Sequence, residues 1–223
     1  YNRSALTLAC LRDLYAQHYR RPVILAVYVV DSGSSDETVD RVLEEFPGVK
    51  VIQTTPDVFW CGAMRIAWSA ARQHPCDYLL LLNDDTRLDE EGVQCLLDAD
   101  WTIRARFGGP GVVVGSTRDP VTGQRSYGGV RRGRDRGDVL PSDDIQPCDQ
   151  MNCNATLIPV EVADVVGEFD SAFTHAIADH DYSLRAQQVG FGVWVAPGYV
   201  GSCPVNPTPA WANPAVPVRQ RLK

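Results

Sequence analysis

Apolar positions in the first half of the chain alternate between two patterns. Over residues 4–15, Ala5, Leu8, Leu11 and Tyr15 recur at the spacing of one helical face, with Ser4 as a cap, and predict a helix. Residues 23–30 are apolar without interruption, too uniform for an edge with one wet face, and predict a buried strand. Ser34, Ser35 and Asp36 offer caps for a second helix that buries Val39, Val42, Leu43 and Phe46 and stops at Pro47 and Gly48. The same logic predicts a strand over 49–54, a helix over 63–73, a strand over 78–82 and a helix over 89–98. Alternation of this kind builds an α/β sheet, whose binding residues gather at the carboxyl ends of its strands.

Residues 117–144 break the pattern, with Gly123, Gly128, Gly129, Gly133 and Gly137 among six arginines and five aspartates. They predict a long flexible loop with a short hairpin around Thr122 and Gly123, and leave a functional or a disordered role open. Order returns with an apolar segment at 155–158, a short helix at 160–166 and a helix from about 181 to 189, closed by Gly190. Pro204, Pro207, Pro209, Pro214 and Pro217 then predict an extended tail over 204–223. Residues 1–203 read as one domain.

Composition narrows the function. A chain of 223 residues, 44% hydrophobic, supports one real core. Its net charge of −7 lacks the positive field that nonspecific nucleic-acid binding needs. The longest apolar runs, 23–30 and 78–82, fall far short of the roughly 20 residues of a membrane-spanning helix, and no signal peptide opens the sequence. Seven scattered cysteines without a CxxC pair fit reduced thiols in a cytoplasmic protein.

Three acidic clusters carry the candidate chemistry. In the first, Asp31 ends a strand and is followed by Ser32 and Gly33. A carboxylate there can accept hydrogen bonds from a nucleobase, or serve only as a turn and helix cap. In the second, Leu79 to Leu82 run into Asn83, Asp84, Asp85 and Thr86. Two adjacent carboxylates at a strand mouth repel each other unless a cation compensates, and hard oxygen ligands suit Mg²⁺ or Mn²⁺; a solvated turn is the alternative. The third runs from His175 through Asp179, His180 and Asp181 to Arg185. Asp181 suits a helix cap, whereas Asp179 lies outside the expected helix and is free to act as a general base.

Together these clusters resemble the family 2 inverting glycosyltransferases of the GT-A fold. The resemblance rests on Tyr1-Asn2-Arg3, the Val-Val-Asp-Ser-Gly-Ser-Ser-Asp run at 29–36, Asn-Asp-Asp-Thr at 83–86 and Asp-His-Asp-Tyr-Ser-Leu-Arg at 179–185. It implies a Rossmann-like three-layer sandwich around a mostly parallel sheet, with a first strand that this sequence lacks. Residues 1–116 would form the nucleotide-sugar half and 145–203 the acceptor and catalytic half. It implies that Tyr1 lies against the base, that Asp31 recognises it, that Asp85 holds Mn²⁺ or Mg²⁺, that Asp84 contacts ribose or sugar, and that Asp179 is the catalytic base. Ser32, Gly62 and Arg65 fall on the donor side, with Trp60, His175 and Asp181 toward the acceptor. A histidine expected after the last strand is not found between Ala196 and Cys203, so another group must complete the metal shell.

The implied activity is inverting transfer from a nucleotide-diphosphate sugar to a glycan or lipid-linked glycan, in surface polysaccharide synthesis. It would occur in the cytoplasm, with peripheral contact at the inner membrane face. A sugar-phosphate nucleotidyltransferase and a noncatalytic nucleotide-sugar-binding module are the alternatives.

Overall fold

The structure, a computed structural model, describes residues 1–174 and 177–206. Helix α1 (Ser4–Tyr15) precedes strand β1 (Tyr28–Asp31), α2 (Thr38–Glu45) and β2 (Lys50–Gln53). After a 3-10 turn come α3 (Phe59–Ala71), β3 (Tyr78–Leu82), β4 (Arg87–Leu88), α4 (Gly92–Phe107) and β5 (Val112–Arg118). Short strands β6 (Arg125–Tyr127), β7 (Val130–Arg131), β8 (Gly137–Asp138) and β9 (Gln146–Pro147) lead to β10 (Ala155–Pro159), α5 (Val160–Val166), α6 (Ala178–Gln188) and β11 (Val193–Ser202).

The main sheet has the order β3-β10-β5-β11-β4, with β6 added to β5 and β9 to β11. Strands β5 and β11 are parallel, while β10 runs against both β3 and β5 and β4 runs against β11. Strands β1 and β2 form a separate parallel pair, and α3 packs on both β1 and β3. Among the described residues, β1 pairs with β2 alone and β3 with β10 alone.

Side-chain alternation along β5 makes the layers. Val112 and Val114 face a core that holds Trp68, Phe169 and Tyr182, under α3, α5 and α6. Val113 points to the other face, with Leu96, Leu97 and Ile103 of α4. A small third core joins Leu8 and Leu11 to Val42 and Val49.

Several elements depart from the sequence reading. Of residues 23–30 only Tyr28–Val30 enter the ladder, which runs on to Asp31; Val27 gives its carbonyl to the Lys50 amide at 2.9 Å, and Ile24 is 98% exposed. Leu43 is likewise exposed, and α2 buries Thr38 and Val42 instead. Helix α4 starts and ends later than expected, running on to Gly108, whose φ of 79° closes it. Its interior carboxylates meet partners from its own adjacent turns and from other elements: Asp98 accepts from Gln94 and Arg20, and Oδ2 of the buried Asp100 from Arg104 and Tyr78.

Residues 117–144 are built of paired short strands, not one open loop. A turn closes β5 onto β6, with the Asp119 amide donating to the Gln124 carbonyl at 2.7 Å. Arg125 ties the region together through Asp138 at 2.8 Å and the Gly129 carbonyl at 2.8 Å. Of the extended tail, residues 207–223 lie outside the described residues.

Candidate active site

Asp31 is the last residue of β1 and is 3% exposed. The chain turns at Gly33, whose φ of 73° favours glycine, and Asp31 Oδ2 accepts the Ser34 amide at 2.9 Å. Turn closure therefore occupies one oxygen of a buried carboxylate. Ser32 sits half-buried in the same turn. The first residues are clipped onto this loop: the Asn2 amide donates to Ser34 Oγ at 2.8 Å, and Asn2 Oδ1 accepts the Ser35 amide at 2.8 Å. Tyr1, 60% exposed, is thereby held beside the end of β1.

Arg3 continues from this clip to the second cluster. Its guanidinium spans both carboxylates, Nη1 at 2.9 Å from Asp84 Oδ1 and Nη2 at 2.7 Å from Asp85 Oδ2. Asp84 also accepts Thr7 Oγ1 at 3.3 Å. Burial drives the Asp84 carboxyl above its ordinary range, opposed by Arg3 and reinforced by Asp85. The Arg3 guanidinium loses solvent on burial, but its bond to Asp85 and the attraction of both carboxylates hold it even more firmly charged. The pair thus demands positive charge, and a side chain answers that demand.

The turn that carries the pair is fastened from several sides. Trp60 Nε1 donates to Asn83 Oδ1 at 2.9 Å while its ring packs on Phe169, so Trp60 helps to position the motif. The Asn83 amide donates to the Asn154 carbonyl at 3.2 Å, which also accepts Thr86 Oγ1 at 3.1 Å. Cys203, 1% exposed, lies on the far side of Asp85 from Arg3, with Sγ 3.5 Å from Asp85 Oδ1 and 3.3 Å from Asn154 Nδ2. Burial and the neighbouring Asp85 push its thiol up to about 12, so it stands there as a neutral donor.

Asp179 falls inside α6 rather than before it. The helix begins at Ala178 because Ile177 adopts a φ of 75°, which puts Asp179 in the first turn, one oxygen accepting the His180 amide at 3.0 Å. Burial raises its proton affinity, opposed by His180 and by the amides of His180 and Cys153. Asp181 is not the cap: it lies in the same turn and pairs with Arg185 at 2.8 Å, and Arg185 holds the carbonyls of Val166 and Glu168. Arg65 is turned to Glu168 at 3.4 Å, and its buried Nε has no hydrogen-bond partner among the described residues. Gly62 lies within α3, and the space a Cβ would take is filled by Val58 at 2.9 Å. His175 lies outside the described residues.

What joins the clusters is a segment the sequence reading passed over. Cys153 donates its amide to Asp179, and the next residue, Asn154, holds Asn83, Thr86 and Cys203. Asn152 accepts the Gly128 amide at 3.3 Å. Two asparagines just before an apolar strand were the available signal. Among the described residues, no group of three or more His, Cys, Asp or Glu side chains is arranged to hold a metal ion, and no helix is long and apolar enough to cross a membrane. All seven cysteines are free.

No curated protein matches the sequence. Solved structures match it at low identity. The mannosyltransferase PcManGT from Pyrobaculum calidifontis, in complex with GDP-Man and Mn²⁺, is 17% identical with a TM-score of 0.64, and the match covers 95% of this chain and 59% of that one. S. aureus TarS 1-349 in complex with UDP is 16% identical at a TM-score of 0.63, over 93% of this chain and 59% of that one. GalNAc-T7 with UDP, GalNAc and Mn²⁺ is 14% identical at 0.65, over 95% and 43%. This chain therefore spans less than two thirds of each relative's length, and the likeness is one of fold, that of the GT-A glycosyltransferases. The profile of glycosyl transferase family 2 matches residues 1–138, more than half the chain and the part carrying Asp31, Asp84 and Asp85, and the protein belongs to that family.

Proposed function

We propose that the chain moves a sugar from a nucleotide-diphosphate donor to an acceptor hydroxyl, with inversion at the anomeric carbon. One observation carries this reading: consecutive residues, Cys153 and Asn154, bond a buried carboxylate on one side and a cation-demanding acidic turn on the other. A base and a diphosphate-neutralising site are thus built on one backbone segment.

Asp31 and Tyr1 serve the base of the donor, with Ser32 and Gly62 beside it; Asp84 serves its ribose or sugar, and Arg65, once released from Glu168, its diphosphate. The residues fit a divalent cation, because a guanidinium already sits across Asp84 and Asp85 as a stand-in and their donors are hard oxygens. Asp85 would hold Mn²⁺ or Mg²⁺, which when bound neutralises charge on the leaving diphosphate. Two of the structural relatives contain Mn²⁺, which supports this assignment.

Asp179 accepts the proton of the attacking hydroxyl. Burial raises its basicity, and amides from His180 and Cys153 fix its orientation. Attack from the side opposite the diphosphate inverts the anomeric centre in a single displacement. The acceptor is a glycan, free or lipid-linked, as in surface-glycan synthesis at the cytoplasmic face of a membrane.

The test is a panel of UDP-, dTDP- and GDP-sugars with Mn²⁺ or Mg²⁺, scored for donor hydrolysis and transfer. Turnover that survives thorough chelation would overturn the metal assignment. A folded Asp179→Asn protein with near-full turnover would overturn the base.

A further inference from the structure

We propose that Glu168 is a positioning residue that holds Arg65 in reserve until a nucleotide diphosphate claims it, and that this exchange frees the segment leading to Asp179. Donor binding then readies the acceptor side. The inference rests on the reading of Arg65 as a diphosphate ligand given above.

Arg65 is held loosely. It lies one turn before Ser69 on α3, so both side chains reach Glu168: Arg65 Nη2 stands 3.4 Å from Oε1, and Ser69 Oγ donates to Oε2 at 3.1 Å. A charge-assisted bond between such groups is ordinarily about 2.7 to 2.9 Å long. Arg65 Nε, although buried, has no hydrogen-bond partner among the described residues. Glu168 therefore meets one corner of the guanidinium and leaves the neighbouring N–H unanswered, because its second oxygen is turned to Ser69. A diphosphate can present two oxygens to the Nε and Nη2 edge at once. The Arg65 and Glu168 side chains are 33% and 37% exposed, so a ligand can reach the pair without unfolding it.

Glu168 also stands on the path to the base. Its carbonyl accepts Arg185 Nη2 at 2.9 Å, and the same guanidinium holds the Val166 carbonyl and Asp181, in the first turn of α6 beside Asp179. Phe169, the next residue, is 1% exposed and packs on Trp60, Trp68 and Tyr182. Farther on, the Thr174 carbonyl accepts the Cys61 amide at 3.2 Å. Residues 168–174 are thus tied to α3 at both ends, and the Glu168 tie, a side-chain contact, is the one a diphosphate displaces. Cys61 shows how near these charges lie to the base: burial pushes its thiol up, Arg65 opposes the rise, and Asp179, Asp170 and Glu168 reinforce it.

Calorimetry of UDP, GDP and dTDP with the wild type, Glu168→Gln, Arg65→Gln and the double variant, all in one buffer, tests the exchange. Glu168→Gln should bind the accepted diphosphate about two- to fivefold more tightly, the worth of a partly exposed ion pair. Arg65→Gln should bind it about tenfold more weakly, and the double variant no better than Arg65→Gln. Hydrogen exchange reads the segment through the Ala172 and Phe173 amides, both bonded to Asp170. They should exchange faster in the wild type once the diphosphate is bound, be fast already in free Glu168→Gln, and stay slow with the nucleoside monophosphate. Glu168→Gln binding no tighter than the wild type, or wild-type exchange that ignores the diphosphate, overturns the role of Glu168 and leaves the reading of Arg65 standing. Arg65→Gln binding like the wild type, or failure of every diphosphate to bind, overturns both. Because the wild-type exchange is decisive by itself, a Glu168 variant that fails to fold does not protect the proposal.

Discussion

Replacing Arg3 by Gln tests whether the acidic turn is a cation site with an internal occupant. The guanidinium makes one contact to each carboxylate, at 2.9 and 2.7 Å. Arg3 is 39% exposed in its side chain, so solvent screens both contacts, while Asp85 at 12% is the less screened partner. Exposed pairs contribute about 0.2 to 1 kcal/mol each and hydrogen bonds to charge somewhat more, so the pair of contacts contributes about 1 to 2 kcal/mol. In chelator, Arg3→Gln should therefore melt lower by about 2 to 8 °C for a domain of this size. Mn²⁺ should reverse the order of effects. In the wild type the ion must displace the guanidinium, whereas in the variant it meets two uncompensated carboxylates. Mn²⁺ affinity should rise about tenfold, equivalent to about 1.4 kcal/mol at saturating ion, and close most of the melting gap. Calorimetric titration and thermal melts with and without Mn²⁺ measure both halves. An Arg3→Gln protein that melts like the wild type in chelator, or binds Mn²⁺ no better, refutes the argument.

Asp179→Asn should lower turnover by about 10²- to 10⁴-fold. Because burial raises the Asp179 carboxyl above its unfolded value, its stabilising contribution is complete below the ordinary aspartate range near about 3.9 and is lost as pH rises through the raised value; the Asn variant should thus melt higher than wild type at neutral pH, with the difference gone near pH 3, as melts across pH would show. Trp60→Phe keeps the ring packing on Phe169 but removes the donor to Asn83, and should cost about 1 to 3 kcal/mol of binding or turnover with little loss of fold, read by donor kinetics and circular dichroism. Asp100→Ala removes the acceptor of Tyr78 and one of the two carboxylate partners of Arg104, which keeps Glu161, and should destabilise by about 1 to 3 kcal/mol in denaturant titration, with any residual activity unchanged in metal dependence. Gly201→Ala should shift β11 from β4 and lower stability, read by thermal melts, since its Cβ would strike the Arg87 carbonyl.

Much of the architecture was legible because burial has a period. Tyr78–Leu82 and Val160–Val166 occur where their apolar patterns place them, and the acidic residues stand at strand ends as a sheet of this kind requires. Elements whose limits depend on distant partners were not legible. Residues 23–27 look like strand but stay outside the ladder, Val27 giving its carbonyl to Lys50 at its edge, and α4 passes through Asp98 and Asp100 where Arg20, Tyr78 and Arg104 meet them. The start of α6 hangs on the positive φ of Ile177, a β-branched residue that gives no local warning of it.

The same division runs through the site. Asp31, Asp84, Asp85 and Asp179 could be singled out from the sequence alone, because a carboxylate following an apolar run has few structural reasons to be there. Their companions could not. That Arg3 neutralises the pair, that Trp60 anchors Asn83, that Cys153 and Asn154 together join Asp179 to the acidic turn, and that Cys203 faces Asp85 across 118 positions of chain are consequences of strand register and packing. Local sequence determines where charge and apolar surface lie along the chain. Which charges meet, and what sulfur or amide stands beside them, is decided only when β11 closes against β4 and β5, because hydrogen-bond and ligand distances are set by neighbours in space rather than in sequence.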